Sequence, residues 1–299
     1  LSPLGIVMNI GALSLLVLAV VCLIGTTGCG REVSQPTVAA PETHSAAGVS
    51  SEGELPLTAP DADVISTVTL TGHGEQGRKK WEVRGDTADL AADVVELSPV
   101  AATSYGRTQV DLTADHGKLV RETQDVELDG HVVIITSDGT RLVTESLDWM
   151  ADSEQISTEA PITITREGMV VIGVGGSGYP NRNRMRLERE VQVTLSGEKG
   201  PTVVTCDGPM EVDTERMKIR FWNNVLVKEA KGMIRSDRLD VDIHPETHEM
   251  EHATFWGHVR IDRGEQTAYA HRAHYWQREG RMALVGHPKV ETAAEEFRS

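Results

Sequence analysis

Three histidines four residues apart, His244, His248 and His252, interleave with Glu246, Glu249 and Glu251 and form the one grouping that resembles metal chemistry. At helical spacing their imidazoles would share a face. Pro245 and the alternating runs on either side place them in a connection between strands, where nothing fixes a ligand geometry. A solvated polar turn is expected, and no metal. His131 and His258 follow a glycine at equivalent points of a repeat, which suggests shared backbone geometry rather than a catalytic pair. Gly173-Val174-Gly175-Gly176-Ser177-Gly178 has the glycines of a phosphate loop without the Lys-Ser/Thr sequel or the following helix, so a bulge or chain crossing is expected. Cys206 ends a Val203-Val204-Thr205-Cys206 run with no activating histidine beside it, and reads as a small strand residue. The other cysteines, Cys22 and Cys29, lie in or beside an apolar N-terminal stretch, so no disulfide is expected in the remainder. No Ser/His/Asp signature or carboxylate pair stands out. The chemistry-bearing residues point to a protein that is not an enzyme and needs no cofactor.

The elements that carry these residues are strands. A short hydrophobic phrase returns about every 30 residues: Leu128–Ile134, Pro161–Thr165, Arg189–Leu195, Phe221–Val227, Phe255–Ile261 and Gly286–Val290. Regular self-similarity of this kind means one supersecondary unit stacked into an elongated body. From Asp61 onward the apolar residues alternate, as in Trp81/Val83, Val132/Ile134, Ile162/Ile164, Val170/Ile172, Val191/Val193 and Leu239/Val241/Ile243. Turn clusters such as Ser137-Asp138-Gly139 separate the runs, the pattern of half-buried antiparallel strands. A dozen or more such strands need two facing sheets or a rolled sheet to hide their apolar faces. Trp149, Phe221, Trp222, Phe255 and Trp256 are expected in the core.

The net charge of −16 argues against nucleic acid as a partner and against broad adhesion to an anionic membrane. Residues 1–30 hold no charged side chain, and Ile6–Gly25 is an apolar stretch of 20 residues. As a helix it spans about 30 Å, the thickness of a bilayer's hydrocarbon. A single transmembrane helix is the leading expectation. Thr26-Thr27-Gly28-Cys29 also resembles a lipoprotein processing site, which would make Cys29 a lipidation site, and ordinary cleavage stays open as well. Residues 31–61, rich in Pro, Ser, Ala, Thr and Glu, read as a disordered tether.

Arg78–Leu90, Gly130-His131-Val132 with Leu142–Trp149, and Gly168–Gly173 together resemble LptC, the membrane-anchored periplasmic component of lipopolysaccharide export. Met210–Val212, Phe221–Val227, Gly232–Val241, Gly257-His258-Val259, Ala268–Trp276 and Leu284–Val290 resemble the related OstA/LptA-like bridge protein. The resemblance implies a β-jellyroll, slightly rolled and open along a seam, whose apolar interior shelters acyl chains. It implies lipopolysaccharide as cargo, an inner-membrane ABC transporter upstream and an LptA-like bridge protein downstream, joined by edge strands. The expected organisation is an anchor or signal over 1–30, the tether over 31–61, an LptC-like jellyroll over 62–198 and an OstA/LptA-like one over 199–299. The body would sit in the periplasm, held at the inner membrane. Two departures from the pattern are a C-terminus soon after Val290 and the Cys29-Gly30 pair. A membrane-anchored structural or polysaccharide-binding stalk is the alternative that shares the repeat.

Period-two alternation nominates the residues of an inner apolar trough: Val68, Leu70, Trp81, Val83, Val132, Ile134, Leu147, Trp149, Ile164, Ile172, Val193, Ile219, Phe221, Val225, Val227, Phe255, Val259 and Ile261. Gly173 is expected to be sensitive to obstruction. Residues 196–208 read as a short connection rather than a linker, with Val191–Leu195 and Thr202–Cys206 as strands at the junction. Free sheet edges are expected near Val64–Leu70 and near the C-terminus.

Overall fold

The computed structural model describes residues 6–9, 66–73, 78–87, 93–105, 109–179, 182–198 and 200–292. Residues 10–65, with most of the expected anchor, Cys29 and the tether, lie outside the described residues. Among the described residues no helix is long and apolar enough to cross a membrane.

The strands run β1 (Ile6–Asn9), β2 (Ser66–His73), β3 (Lys79–Thr87), β4 (Val94–Leu97), β5 (Val100–Ser104), β6 (Val110–Ala114), β7 (His116–Val120), β8 (Val126–Thr136), β9 (Arg141–Met150) and β10 (Gln155–Arg166). They continue as β11 (Met169–Tyr179), β12 (Arg184–Leu195), β13 (Thr202–Cys206), β14 (Met210–Asp213), β15 (Lys218–Glu229), β16 (Gly232–Ile243), β17 (Met250–Arg263), β18 (Gln266–Trp276), β19 (Arg281–Val285) and β20 (Lys289–Thr292). All pairings are antiparallel, and most strands pair with their neighbours in sequence. The long strands bend midway at register shifts, for example Asp129/Val132, Ile172/Val174, Trp222/Val225 and Trp256/Val259. An extra residue unpaired at such a point turns the strand, so its two halves enter different sheets. In β12, Arg184–Leu187 pairs with β14 and Val191–Leu195 with β13.

One sheet therefore runs β4-β7-β8-β9-β10-β11-β12-β14-β15-β16-β17-β18-β19, and the other β2-β3-β5-β6-β8-β9-β10-β11-β12-β13-β15-β16-β17-β18-β20. The pairs β4/β5, β6/β7, β13/β14 and β19/β20 are long strands broken at the same corner. Ile6–Asn9 adds itself to the outside of β19, where an open edge offers unpaired N–H and C=O groups. These four residues of the expected transmembrane helix are thus a strand.

The corner has a repeated chemistry. Gly130-His131, Asn223-Asn224, Gly257-His258 and Gly286-His287 all have positive φ at both residues. Two left-handed residues in succession admit mainly Gly, Asn, Asp and His. In the first three of these the second residue reaches back to an aspartate at the corner of a preceding strand. His131 Nδ1 lies 2.6 Å from Asp115, His258 Nδ1 lies 2.8 Å from Asp237, and the Asn224 amide donates to Asp207. Backbone bonds repeat beside them: Asp115 N–H donates to Gly130 O at 2.9 Å, Asp207 N–H to Asn223 O at 2.9 Å and His271 N–H to Gly286 O at 3.1 Å. The glycine-histidine pairs noticed in the sequence are corners of the folded sheet.

Buried side chains from both sheets form shared clusters. Phe221, Leu239 and Tyr275 from the first sheet and Val193, Val204 and Val227 from the second are almost solvent-free in one cluster. A single sheet cannot bury one face so completely, so the halves cover each other. A smaller cluster from Val68 to Leu147 occupies the N-terminal strands, and the larger runs from Ile162 to Leu284. The hydrophobic interior therefore changes character between β9 and β10, upstream of residue 198.

Candidate functional site

Each sheet presents an unbroken row of mainly apolar positions to the interior. On the second sheet the Cα partners run Val83, Ala102, Leu112, Ile134, Leu142, Ile164, Val171, Val193, Val204, Val227, Ile234, Ile261 and Ala268. On the first they run Val95, Leu119, Val126, Trp149, Ile156, Gly178, Met185, Val212, Ile219, Val241, Ala253, Tyr275 and Met282. Neighbouring strands lie about 4.8 Å apart, so each row is tens of ångströms long. Val68, Val132, Leu147, Phe221, Val225, Phe255 and Val259 stand on the same inner faces and are buried.

Two expectations need correction. Ile172 faces outward and is 41 % exposed, because its partners are Thr163 and Gln192. Val171, between Ile164 and Val193, holds the inner position instead. Trp81 shares the inner face with Val83 and Gly85, yet it is 38 % exposed because it lies beyond the N-terminal cluster. The side chain of Leu70 lies outside the described residues. Trp222 and Trp256 also leave the expected core. Adjacent strand residues point to opposite faces, so Phe221 and Phe255 go in and the tryptophans go out. There Trp222, Arg238, Trp256 and Arg272 are cross-strand neighbours, with Arg238 5.5 Å from the Trp222 ring centre and Arg272 3.9 Å from that of Trp256. These contacts are cation–π pairs that support the outer surface.

The interior is filled unevenly. Between β10 and β19 it is closed by its own side chains, with Phe221, Phe255 and Tyr275 at most 1 % exposed. Between β2 and β9 its apolar lining is only partly covered: Val83, Leu112, Leu119, Val126 and Ile134 pack against the small cluster without full burial, as does Ile156 of β10. The glycine-rich run of β11 lies where these regions meet. A Cβ on Gly173 would come within 3.3 Å of Leu187, and one on Gly176 within 2.7 Å of Ile162, so larger residues there would press into the interior. A Cβ on Gly178 would meet nothing nearer than 3.9 Å, so the inner row has an open notch there.

The remaining chemistry-bearing residues are placed as follows. His244 and His248 lie in the β16–β17 turn, where the His248 N–H donates to His244 O at 2.9 Å. His252 is on β17, with Nδ1 3.3 Å from Asp242 and its ring stacked on His274 at 5.4 Å. Burial pushes the Cys206 thiol up to about 11, so it is poorly reactive. Sequence reasoning missed Glu229, whose carboxyl is raised to about 7 by burial at the β15–β16 hairpin, with Arg263 opposing the shift. Its Oε1 is buried with no hydrogen-bond partner, which no residue pattern announces.

Residues 64–196 match the family described as lipopolysaccharide-assembly, LptC-related, and residues 183–299 match the one described as LptA/(LptD N-terminal domain) LPS transport protein. The matches overlap over residues 183–196, which contain all of β12. Comparison with curated proteins gives no match.

Proposed function

Since the chain belongs to the LptC-like/LptA-like lipopolysaccharide transport family, whose domains are non-enzymatic transport components, we propose that it shelters the acyl chains of lipopolysaccharide between its facing half-sheets. The observation that carries this reading is the pair of long apolar rows, tightly closed in the C-terminal half and half-covered in the N-terminal one. Half-covered Val, Leu, Ile and Trp side chains are a seat for hydrocarbon. Transfer of each methylene from water contributes about 0.8 kcal/mol, so a fatty chain needs few directional bonds. Lipid entering at β2–β9 would pass towards β19 only if the closed half parts, and among the described residues no disulfide ties the half-sheets together, since Cys206 is free.

In this reading the chain is held at the inner membrane by the part of its N-terminal apolar stretch that follows β1, with the body in the periplasm. It receives lipid from an ABC exporter and passes it to an LptA-like bridge subunit. The edges support that order. β2 and β4 border the sheets at the N-terminal end, and β20, exposed at all its residues, borders the second sheet at the other. Such strands accept a further strand by β-augmentation. β12 and β13 pair directly across residues 196–201, so the two family segments share one continuous sheet that could carry lipid without a gap.

A polysaccharide-binding stalk would use free aromatic faces. The outward Trp222 and Trp256 carry guanidinium groups there, which disfavours that role. The test is extraction of the purified full chain with organic solvent and identification of the lipid. Lipid A in consistent proportion to protein is the expected result. Protein that is lipid-free after mild detergent and takes up no added lipopolysaccharide would refute the reading.

A further inference from the structure

The outer face of the first sheet has a concave depression of about 260 Å³ where β11, β12, β14 and β15 end. Arg184, Arg186, Arg216 and Arg220 line it, against Glu211 and Asp213. That balance reverses the chain's own, in which 45 acidic residues outnumber 29 basic ones. The arginines are not equally engaged. Arg186 is held by Glu188, with Nε 2.9 and 3.1 Å from its two oxygens, and by Glu211. Asp213, nearly buried, accepts Arg216 Nη1 at 3.2 Å and the Arg216 N–H at 2.9 Å. Arg184 reaches Asp213 only at 3.5 Å and Arg220 reaches Glu211 only at 3.9 Å, too far for good hydrogen bonds. Their planar forks therefore keep donors for another oxyanion, and a guanidinium fork suits phosphate well.

The depression adjoins the open notch of the interior. Gly178 and Met185 are partners in the inner row, and Tyr179 and Arg184 are partners one residue further along, on the opposite face. One residue of strand is about 3.3 Å. β11 ends at Tyr179 and β12 begins at Arg184, so these residues form the rim of the sheet. A molecule with hydrocarbon against Trp149, Ile156 and Met185 could thus cross the rim beside Gly178 and present an anionic end to Arg184 and Arg220.

We infer that the Arg184/Arg216/Arg220 depression is a binding site for phosphate groups, carried at the polar end of the lipid whose chains the inner face holds. The site deepens the proposed function and rests on it for the source of the phosphate.

The test uses the full chain in detergent with three probes: bisphosphorylated lipid A, the same lipid with its phosphates removed, and inorganic pyrophosphate. The wild type is expected to prefer the phosphorylated lipid by about tenfold, the scale of charge-assisted hydrogen bonds, and to lose that preference at high salt. The double variant Arg184→Gln/Arg220→Gln should bind both lipids alike, with unchanged affinity for the dephosphorylated one. It leaves Asp213 paired with Arg216 and Glu211 with Arg186, and an unchanged thermal melt confirms folding. Arg184→Lys/Arg220→Lys, which keeps charge but not the fork, should fall between. A wild type indifferent to the phosphates on the lipid, or a Gln variant that keeps the preference, overturns the headgroup assignment. Pyrophosphate binding that the Gln variant abolishes, without any lipid preference in the wild type, would assign the same phosphate chemistry to a free anion. If neither lipid binds, the lipid-sheltering function fails, and the pyrophosphate arm still decides the site: no binding by the wild type overturns it.

Discussion

At the scale of single residues, the corners and one buried carboxyl give the sharpest expectations. Gly257 has a φ of +70°, and a Cβ there would sit 2.0 Å from Asp237 Oδ2. Gly139 has a similar φ of +85° with nothing within 4 Å. Both glycines relieve backbone strain, but only Gly257 also makes room for the aspartate that its neighbour His258 engages. Gly257→Ala should therefore cost about 2–4 kcal/mol and Gly139→Ala about 1 kcal/mol in chemical denaturation. Equal losses would mean that corner packing contributes nothing beyond φ. Glu229 adds a pH dependence of defined sign. Its folded carboxyl, raised to about 7, binds a proton more tightly than the unfolded one at its ordinary value of 4.5. Its contribution favours the fold below the unfolded value and is lost as pH rises through the folded one. After discounting for its partial exposure, about 1–2 kcal/mol is at stake. Glu229→Gln should flatten the stability profile between pH 4.5 and 7 and raise stability at pH 8 relative to the wild type. Denaturant midpoints across that range check it, and an unchanged slope would contradict the assignment.

At the scale of elements, the sequence made strands legible and left their phase partly hidden. Repeating alternation identified the antiparallel strands, and the turn clusters separated them, because side-chain direction in a strand has period two. Runs apolar at every position carry no such phase. Met169-Val170-Val171-Ile172 is one, and there only the partners decide which residues face inward. Phe221-Trp222 and Phe255-Trp256 show the converse, since two adjacent aromatics in a strand cannot both be core. The corners were visible as recurring glycine-histidine pairs, but the aspartates that complete them come from preceding strands and were not. The Arg184/Arg216/Arg220 depression was hidden for the same reason: its arginines meet only through the β12–β14–β15 pairing. Register therefore predicts that Val171→Asp is severely destabilising, by about 3 kcal/mol or more, while Ile172→Asp stays within about 1 kcal/mol. Thermal melts of the two variants decide it, and similar losses would mean the inner face has been assigned to the wrong residues.

At the scale of the whole molecule, the chain is one folded ribbon of strands with an apolar lining from end to end. The two family matches meet on β12, a strand that belongs to both, so the junction is continuous pairing and not a hinge. The central claim is that hydrocarbon travels inside this ribbon. The most direct measurement places a photoreactive amino acid at adjacent residues of opposite direction while the exporter runs in cells. Ile134 stands on the inner row, and Ile135, 45 % exposed, points outward from the same strand. Capture of lipopolysaccharide from position 134 and from the half-covered Ile156, with little from 135 or 172, is the predicted result. Capture from 135 and 172 at the same level as from the inner positions, or from them alone, would contradict an interior path.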